Sequence, residues 1–184
     1  MKSSPSNFFT SKKLGTLAEE AVALLLQGVL SPNFAVTRME GIGEIDILIH
    51  NSLICEGAEV KSNPGWKKSG LIAIEYESKK GKMLGPGKCL HNPMITLFIS
   101  YIPDIQLAIC SSPAELLKAI EQMENANRVQ RIQIPDGNHI ILLRPEVMVE
   151  FLKQQNSFFM LHPTNDQPFV DWDPRWNSSN NERS

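Results

Sequence analysis

Two short apolar segments carry charged residues where a core strand would have none. Gly43-Glu44-Ile45-Asp46-Ile47-Leu48-Ile49 is followed shortly by Ala58-Glu59-Val60-Lys61-Ser62, a pattern of one Asp, twelve intervening residues, then Glu-x-Lys. Side chains along a strand alternate faces, so Glu59 and Lys61 project to one side and Val60 to the other. Paired as a hairpin, the two strands bring Asp46 beside Glu59, with Lys61 within reach of both. Carboxylates that close repel each other unless a cation lies between them, and Mg²⁺ or Mn²⁺ takes such oxygen ligands. A lysine beside that cation orients a water or holds a phosphate. The chemistry outlined is metal-dependent hydrolysis of a phosphodiester.

Charge distribution points the same way. The chain's formal net charge of -2 does not advertise a nucleic-acid binder. Between Lys61 and Lys88, however, Lys61, Lys67, Lys68, Lys79, Lys80, Lys82 and Lys88 face only Glu75 and Glu77. Screening confines electrostatics to about 10 Å in moderate salt, so a local positive segment holds phosphates whatever the global sum. The other reading of the same segment is a solvated, lysine-rich loop. Glu75 and Glu77 read either as solvent-facing partners of those lysines or as a pair near the metal.

Several elements must position these residues. Residues 1–11 are polar and read as a loose N-terminus. A helix is expected from Lys12, capped by Ser11, to about Gln27, where Gly28 stops it. Leu14, Leu17, Ala18, Ala21, Leu24 and Leu25 recur at helical spacing as its buried stripe. Strands are expected at 34–39, 45–50, 55–62 and 71–77, with Asn63-Pro64-Gly65 closing the hairpin region. The segment 78–93, rich in Gly and Lys, reads as a loop, either a flap over a nucleic-acid backbone or plain surface. The run 94–101 fits strand or helix, and 105–110 is a second short apolar run. Ser112-Pro113-Ala114-Glu115 starts a helix reaching about Asn125. A hairpin, 129–134 with 139–143, turns at Pro135-Asp136-Gly137-Asn138, and 145–154 forms a last helix. The organisation expected is one domain over 12–155 and a polar tail over 156–184. In that tail Trp172 and Trp176 are too apolar to leave in water, which implies docking on the domain or on a protein partner.

The 184 residues suit one compact domain, and the hydrophobic fraction of 42% is ordinary for a globular protein. No apolar run approaches the ~18 residues of a membrane span. The N-terminus lacks the apolar core of a secretory signal, and a cytoplasmic protein is expected. Cys55, Cys89 and Cys110 fit neither a disulfide framework nor a zinc site.

The order of Gly15-Thr16-Leu17-Ala18-Glu19 on a helix, Arg38, Gly43-Glu44-Ile45-Asp46 and Glu59-Val60-Lys61-Ser62 resembles the PD-(D/E)xK nuclease superfamily, which includes many restriction enzymes and Holliday-junction resolvases. Coverage is confined to about residues 12–77. The resemblance implies a restriction-endonuclease-like α/β fold, a mixed four- to five-stranded sheet flanked by helices. It implies that Asp46 and Glu59 ligate Mg²⁺ or Mn²⁺, with the Val60 carbonyl completing the shell and Glu19 assisting from the first helix. Lys61 would orient the attacking water or neutralise the transition state. Ile45 stands where the family pattern has proline. Glu20 competes with Glu19 for the helix position, and the Gly-x-x-x-Glu spacing favours Glu19.

The function implied is a metal-dependent DNA endonuclease acting on branched or foreign DNA, as a monomer or a homodimer. Arg38, Lys67, Lys68, Lys79, Lys80 and Lys82 are the expected nucleic-acid contacts, although Arg38 can instead pair with Glu40 or Glu44. The alternatives are a catalytically silent nucleic-acid-binding or scaffold module of the same fold, or an RNase or exonuclease.

Overall fold

A computed structural model describes residues 5–30, 32–40, 45–155 and 158–163, with side chains from residue 13 onward. The aromatic tail around Trp172 and Trp176 lies outside the described residues. The long first helix α1 (Pro5–Val29) precedes a hairpin and an eight-residue strand: β1 (Ala35–Arg38), β2 (Ile47–His50) and β3 (Cys55–Ser62). A one-turn helix α2 (Trp66–Ser69), strand β4 (Ile72–Glu77) and a short helix α3 (Gly85–Cys89) then cross over to β5 (Ile95–Ile102). After β6 (Leu107–Ser111) come α4 (Pro113–Asn125), the hairpin β7 (Gln130–Gln133) and β8 (His139–Leu143), α5 (Pro145–Lys153) and β9 (Phe158–Leu161).

The main sheet has six strands in the order β1-β2-β3-β5-β6-β9, and a smaller sheet has the order β4-β8-β7. Only the β3–β5 pair of the main sheet is parallel, and parallel neighbours need a crossover. Here the crossover contains β4, which is how the second sheet is seeded beside the first. The mixed α/β architecture agrees with the sequence expectation, while the strand number exceeds it.

Three layers result. On one face of the main sheet α1 inserts Ala18, Val22 and Leu26 against Ala58, Val60, Ile99 and Tyr101. On the other, Phe98, Ile102 and Ile109 pack with Leu116, Ile120 and Met148 of α4 and α5, and with Ile72, Ile74 and Ile141 of the small sheet. Glu59 and Lys61 alternate with Ala58 and Val60, so they face this second layer.

Several expectations need correction. The first helix begins at Pro5, not Lys12, so most of the supposed loose terminus is helical. Proline suits a first helical turn because its missing N–H has no partner there anyway. Gly28 does not end the helix, since Leu30 N still bonds the Leu26 carbonyl at 2.9 Å. The inward stripe is Ala18, Val22 and Leu26, whereas Leu14, Leu17 and Leu24 are exposed. At 100° per residue Leu17 and Leu24 lie about 140° and 160° around the axis from Val22.

The segment 78–93 is not a slack flap. It contains α3, and Ser78 binds a tight turn, accepting from Lys80 N at 3.3 Å and Lys82 N at 3.0 Å. The domain also runs past residue 155, because 158–161 adds β9 to the edge of β6. Among the described residues no helix is long and apolar enough to cross a membrane.

Candidate active site

The β2–β3 hairpin register ends with Ile47 opposite Ala58, so Asp46, just before β2, comes within hydrogen-bonding reach of Glu59, the next residue of β3. Asp46 stands in the bend just before β2, with its backbone still laddered: its N–H donates to the Ala58 carbonyl at 3.0 Å. One residue pair further, β3 needs a partner that the β2 backbone no longer supplies. The Asp46 side chain takes that place, its Oδ2 accepting from Val60 N at 2.7 Å. Val60 N–H and C=O project from the same edge of β3, so this carbonyl lies on the Asp46 side.

Glu59 and Lys61 form a close pair, Nζ to Oε1 2.7 Å, with the Glu59 side chain only 14% exposed. Lys61 also lies 3.9 Å from Glu75 Oε2 on β4. That approach is fixed by Asn63, a buried residue that leaves β3 and accepts from Ala73 N of β4 at 2.8 Å. Gly85, at φ +50, lets α3 lie against β4, because a Cβ there would collide with the Glu75 carbonyl. Lys88 of α3 is thereby brought close enough for its charge to act on Glu59.

Burial, reinforced by the Glu19 charge, holds the Asp46 carboxyl above its ordinary value despite the Val60 N–H and Lys61. Burial and the neighbouring Asp46 charge likewise raise Glu59 against the pull of Lys61. Burial alone would lower Lys61, but the Glu59 charge and its hydrogen bond outweigh it, and the ammonium is held up. The two acids are within hydrogen-bonding reach of each other. Asp46, Glu59 and Glu75 therefore meet the charges of Lys61 and Lys88, three acids against two lysines, and negative charge is in excess.

Glu19 comes to this cluster from α1, and Glu20 does not: Glu19 is 20% exposed and its charge acts on Asp46, whereas Glu20 is 50% exposed. Arg38 is engaged by carboxylates. Its guanidinium lies 3.5 Å from Glu19 and 3.9 Å from Glu20, and pairs with Glu40 as well. Lys67, Lys68, Lys79, Lys80 and Lys82 are all exposed. Lys67 and Lys68 lie on α2, and the other three in the turn after β4, so the structure separates them into two groups at opposite ends of that strand.

Sequence reasoning placed neither Lys88 nor Ser100 at the cluster. Ser100 is the β5 partner of Lys61, fully buried, its Oγ without a hydrogen-bond partner among the described residues. Only strand register across the crossover reveals it. Cys89 also lies here, its thiol pushed up to about 12 by burial and by Glu59, and so is inert as a nucleophile at neutral pH.

Among the described residues no three His, Cys, Asp or Glu side chains form a ready-made metal cage. The donor set nevertheless suits a hard cation. Mg²⁺ is commonly held by one or two carboxylates, retaining waters and taking substrate phosphate oxygens. Asp46 and Glu59 with the Val60 carbonyl offer that set, and the charge deficit of the pair gives a cation something to offset.

No protein-family model and no curated protein matches the chain. Among solved structures it is similar to a nuclease from a fusselovirus, at 12% identity and a TM-score of 0.41, over 85% of this chain and 98% of that one.

Proposed function

We propose that the chain is a Mg²⁺- or Mn²⁺-dependent DNA endonuclease of the PD-(D/E)xK type. The observation that carries this reading is the convergence of Asp46, Glu59 and Lys61, two half-buried carboxylates raised by desolvation with the Lys61 ammonium 2.7 Å from Glu59. Asp46, Glu59 and the Val60 carbonyl would hold the cation, with Glu19 assisting. The cation would supply a Lewis acid for the phosphoryl oxygens and the attacking water. Lys61 keeps its proton throughout and places fixed positive charge where negative charge builds on the phosphoryl group. Glu75, 3.9 Å from the Lys61 ammonium, would give it a second anchor were Glu59 to ligate the cation. Burial of the cluster strengthens each of these interactions over its value in water. Lys67, Lys68, Lys79, Lys80 and Lys82 would contact the phosphate backbone on either side.

The test is incubation with supercoiled plasmid, linear duplex, single strands and a four-way junction, in Mg²⁺, Mn²⁺ or EDTA, beside Asp46→Ala. Metal-dependent cleavage that the substitution removes establishes the nuclease, and the preferred substrate names its class. No uptake of Mn²⁺ by calorimetry, with DNA still bound and no cleavage, would replace it with the silent nucleic-acid-binding module.

A further inference from the structure

At one end of β4 the small sheet meets the C-terminus of α4 and the start of α5 in a cavity of about 840 Å³. Leu71, Gln130 and Leu142 line it together with the charged Arg128, Arg144 and Glu146. The volume lies within the range of ligand-binding clefts. We infer that this cavity and the half-exposed face of β4 and β8 leading to it form a second contact site for the nucleic-acid strand held at Lys61. The inference rests on the nucleic-acid reading of the acid–lysine cluster for the identity of its ligand.

Continuity with that cluster is the first support. Ala73 and Glu75 point to the exposed face of β4, and the buried face carries Ile72 and Ile74. Pairing places Leu142 beside Ala73, and Ile140 beside Glu75, on that same exposed face; β7 extends it with Gln130 and Ile132. A continuous strip therefore runs from Glu75, which touches Lys61, past Ala73 to Leu71 at the cavity. Four residues of strand span about 13 Å, a few nucleotides of a single strand.

Charge supplies the second support. Lys68 of α2 is exposed on the segment joining the end of β3 to Leu71. Arg144, exposed at the cavity, has no ion pair among the described residues. Arg128 is held by Glu150 at 3.2 Å, and Glu146 adds an acid to the lining, so Arg144 is the cation with most to gain from a phosphate. At the opposite end of β4 stand Lys79, Lys80 and Lys82, so the acid–lysine cluster lies between two basic ends of a single strand. Half-buried Leu142, Ile140 and Ile132 offer an apolar strip between them that bases can lie on.

The test measures binding of a fluorescent oligonucleotide of about 30 nucleotides, single-stranded and duplex, in EDTA so that nothing is cut. Arg144→Glu is compared with Lys118→Glu, an exposed residue of α4 that changes net charge equally without lining the cavity. Expected for Arg144→Glu is a loss of about tenfold in affinity at moderate salt and a salt slope shallower by about one unit, with Arg144→Lys restoring most of it. Gln130→Glu should weaken binding in the same direction and by less. Circular dichroism melts confirm that the variants stay folded. Equal losses for Arg144→Glu and Lys118→Glu, no loss for either, or no binding by the unaltered chain would overturn the site. Arg144-dependent binding without cleavage under any metal condition would leave it standing and remove the nuclease reading instead.

Discussion

Two ion pairs in this molecule have nearly the same length and opposite meaning. Lys61–Glu59 measures 2.7 Å and Arg131–Glu124 measures 2.8 Å. Arg131 and Glu124 are 41% and 29% exposed, and the guanidinium also covers the Tyr76 ring at 4.3 Å. Each charge there has its match, and water screens what is left. At Lys61 the partner is more deeply buried, and a second carboxylate, Asp46, stands within reach of it with no ion pair of its own among the described residues. A matched surface pair fastens β7 to α4 and does little else. An unmatched, half-buried set holds free energy that a bound cation can release, which is the basis of the proposed metal site.

The comparison breaks most sharply at the acids. Asp46→Ala should abolish metal-dependent cleavage by about three orders of magnitude or more, because it removes a proposed ligand and the acceptor of Val60 N–H together. A mutant cutting plasmid within tenfold of the unaltered chain in a time course would sink the assignment. Lys61→Ala should lower turnover by about 10²–10³-fold with Mn²⁺ affinity retained, which calorimetry beside single-turnover kinetics would separate. A loss confined to metal affinity would reassign the lysine to structure.

Proton linkage sharpens the contrast. The folded state raises both Asp46 and Glu59, so it binds more protons than the unfolded chain in the window above about pH 4. Stability contributed by these two groups at acid pH is therefore lost as pH rises through their folded values. A bound cation acts in the opposite sense, since it needs both groups ionised. The Tm increase produced by saturating Mn²⁺ should grow with pH across that window, and Asp46→Asn should raise the metal-free Tm at neutral pH. A metal-induced shift independent of pH would contradict the charge deficit. Lys61, raised as well, contributes stability that is present below the ordinary lysine range and is lost only as pH climbs through its folded value.

Smaller effects complete the ordering. Asn63→Ala orphans the Ala73 N–H and should cost about 1–3 kcal/mol in denaturant melts, loosening β4 from β3. Glu124→Gln, at the matched pair, should cost at most about 1 kcal/mol and leave cleavage unchanged. If it altered activity as strongly as Lys61→Ala, exposure would be the wrong criterion for telling the two pairs apart.

Local chemistry made much of this molecule legible. β3 matches its expected limits of 55–62 because Asn63-Pro64-Gly65 punctuates it, and α4 starts where Ser112 and Pro113 announce it. The nearness of Asp46 to Glu59 follows from the β2–β3 hairpin, which two adjacent strands joined by a short turn already imply. What escaped depends on partners distant in sequence. β9 looks like the start of a polar tail until β6 offers it an edge. α3 is written Gly-Pro-Gly-Lys-Cys, a poor helix by propensity, held where Gly85 fits the Glu75 backbone. The leucines of α1 mislead because helical spacing says which residues share a face and not which face meets the sheet. For Arg38 the pairing with Glu40 is one of the readings the sequence offers, whereas Glu19 and Glu20 of α1 join it only after folding.

Where β2 stops, a carboxylate completes the hydrogen-bond ladder of β3 in place of backbone, Asp46 Oδ2 to Val60 N at 2.7 Å. One rung of this sheet is thus titratable, and it ends on an atom that a cation would also contact. The Val60 amide proton is consequently a built-in spectroscopic probe. Its chemical shift and its exchange with solvent register the state of the Asp46 carboxylate, so ligation and protonation at the cluster can be followed one residue away, in solution, without any substrate being turned over.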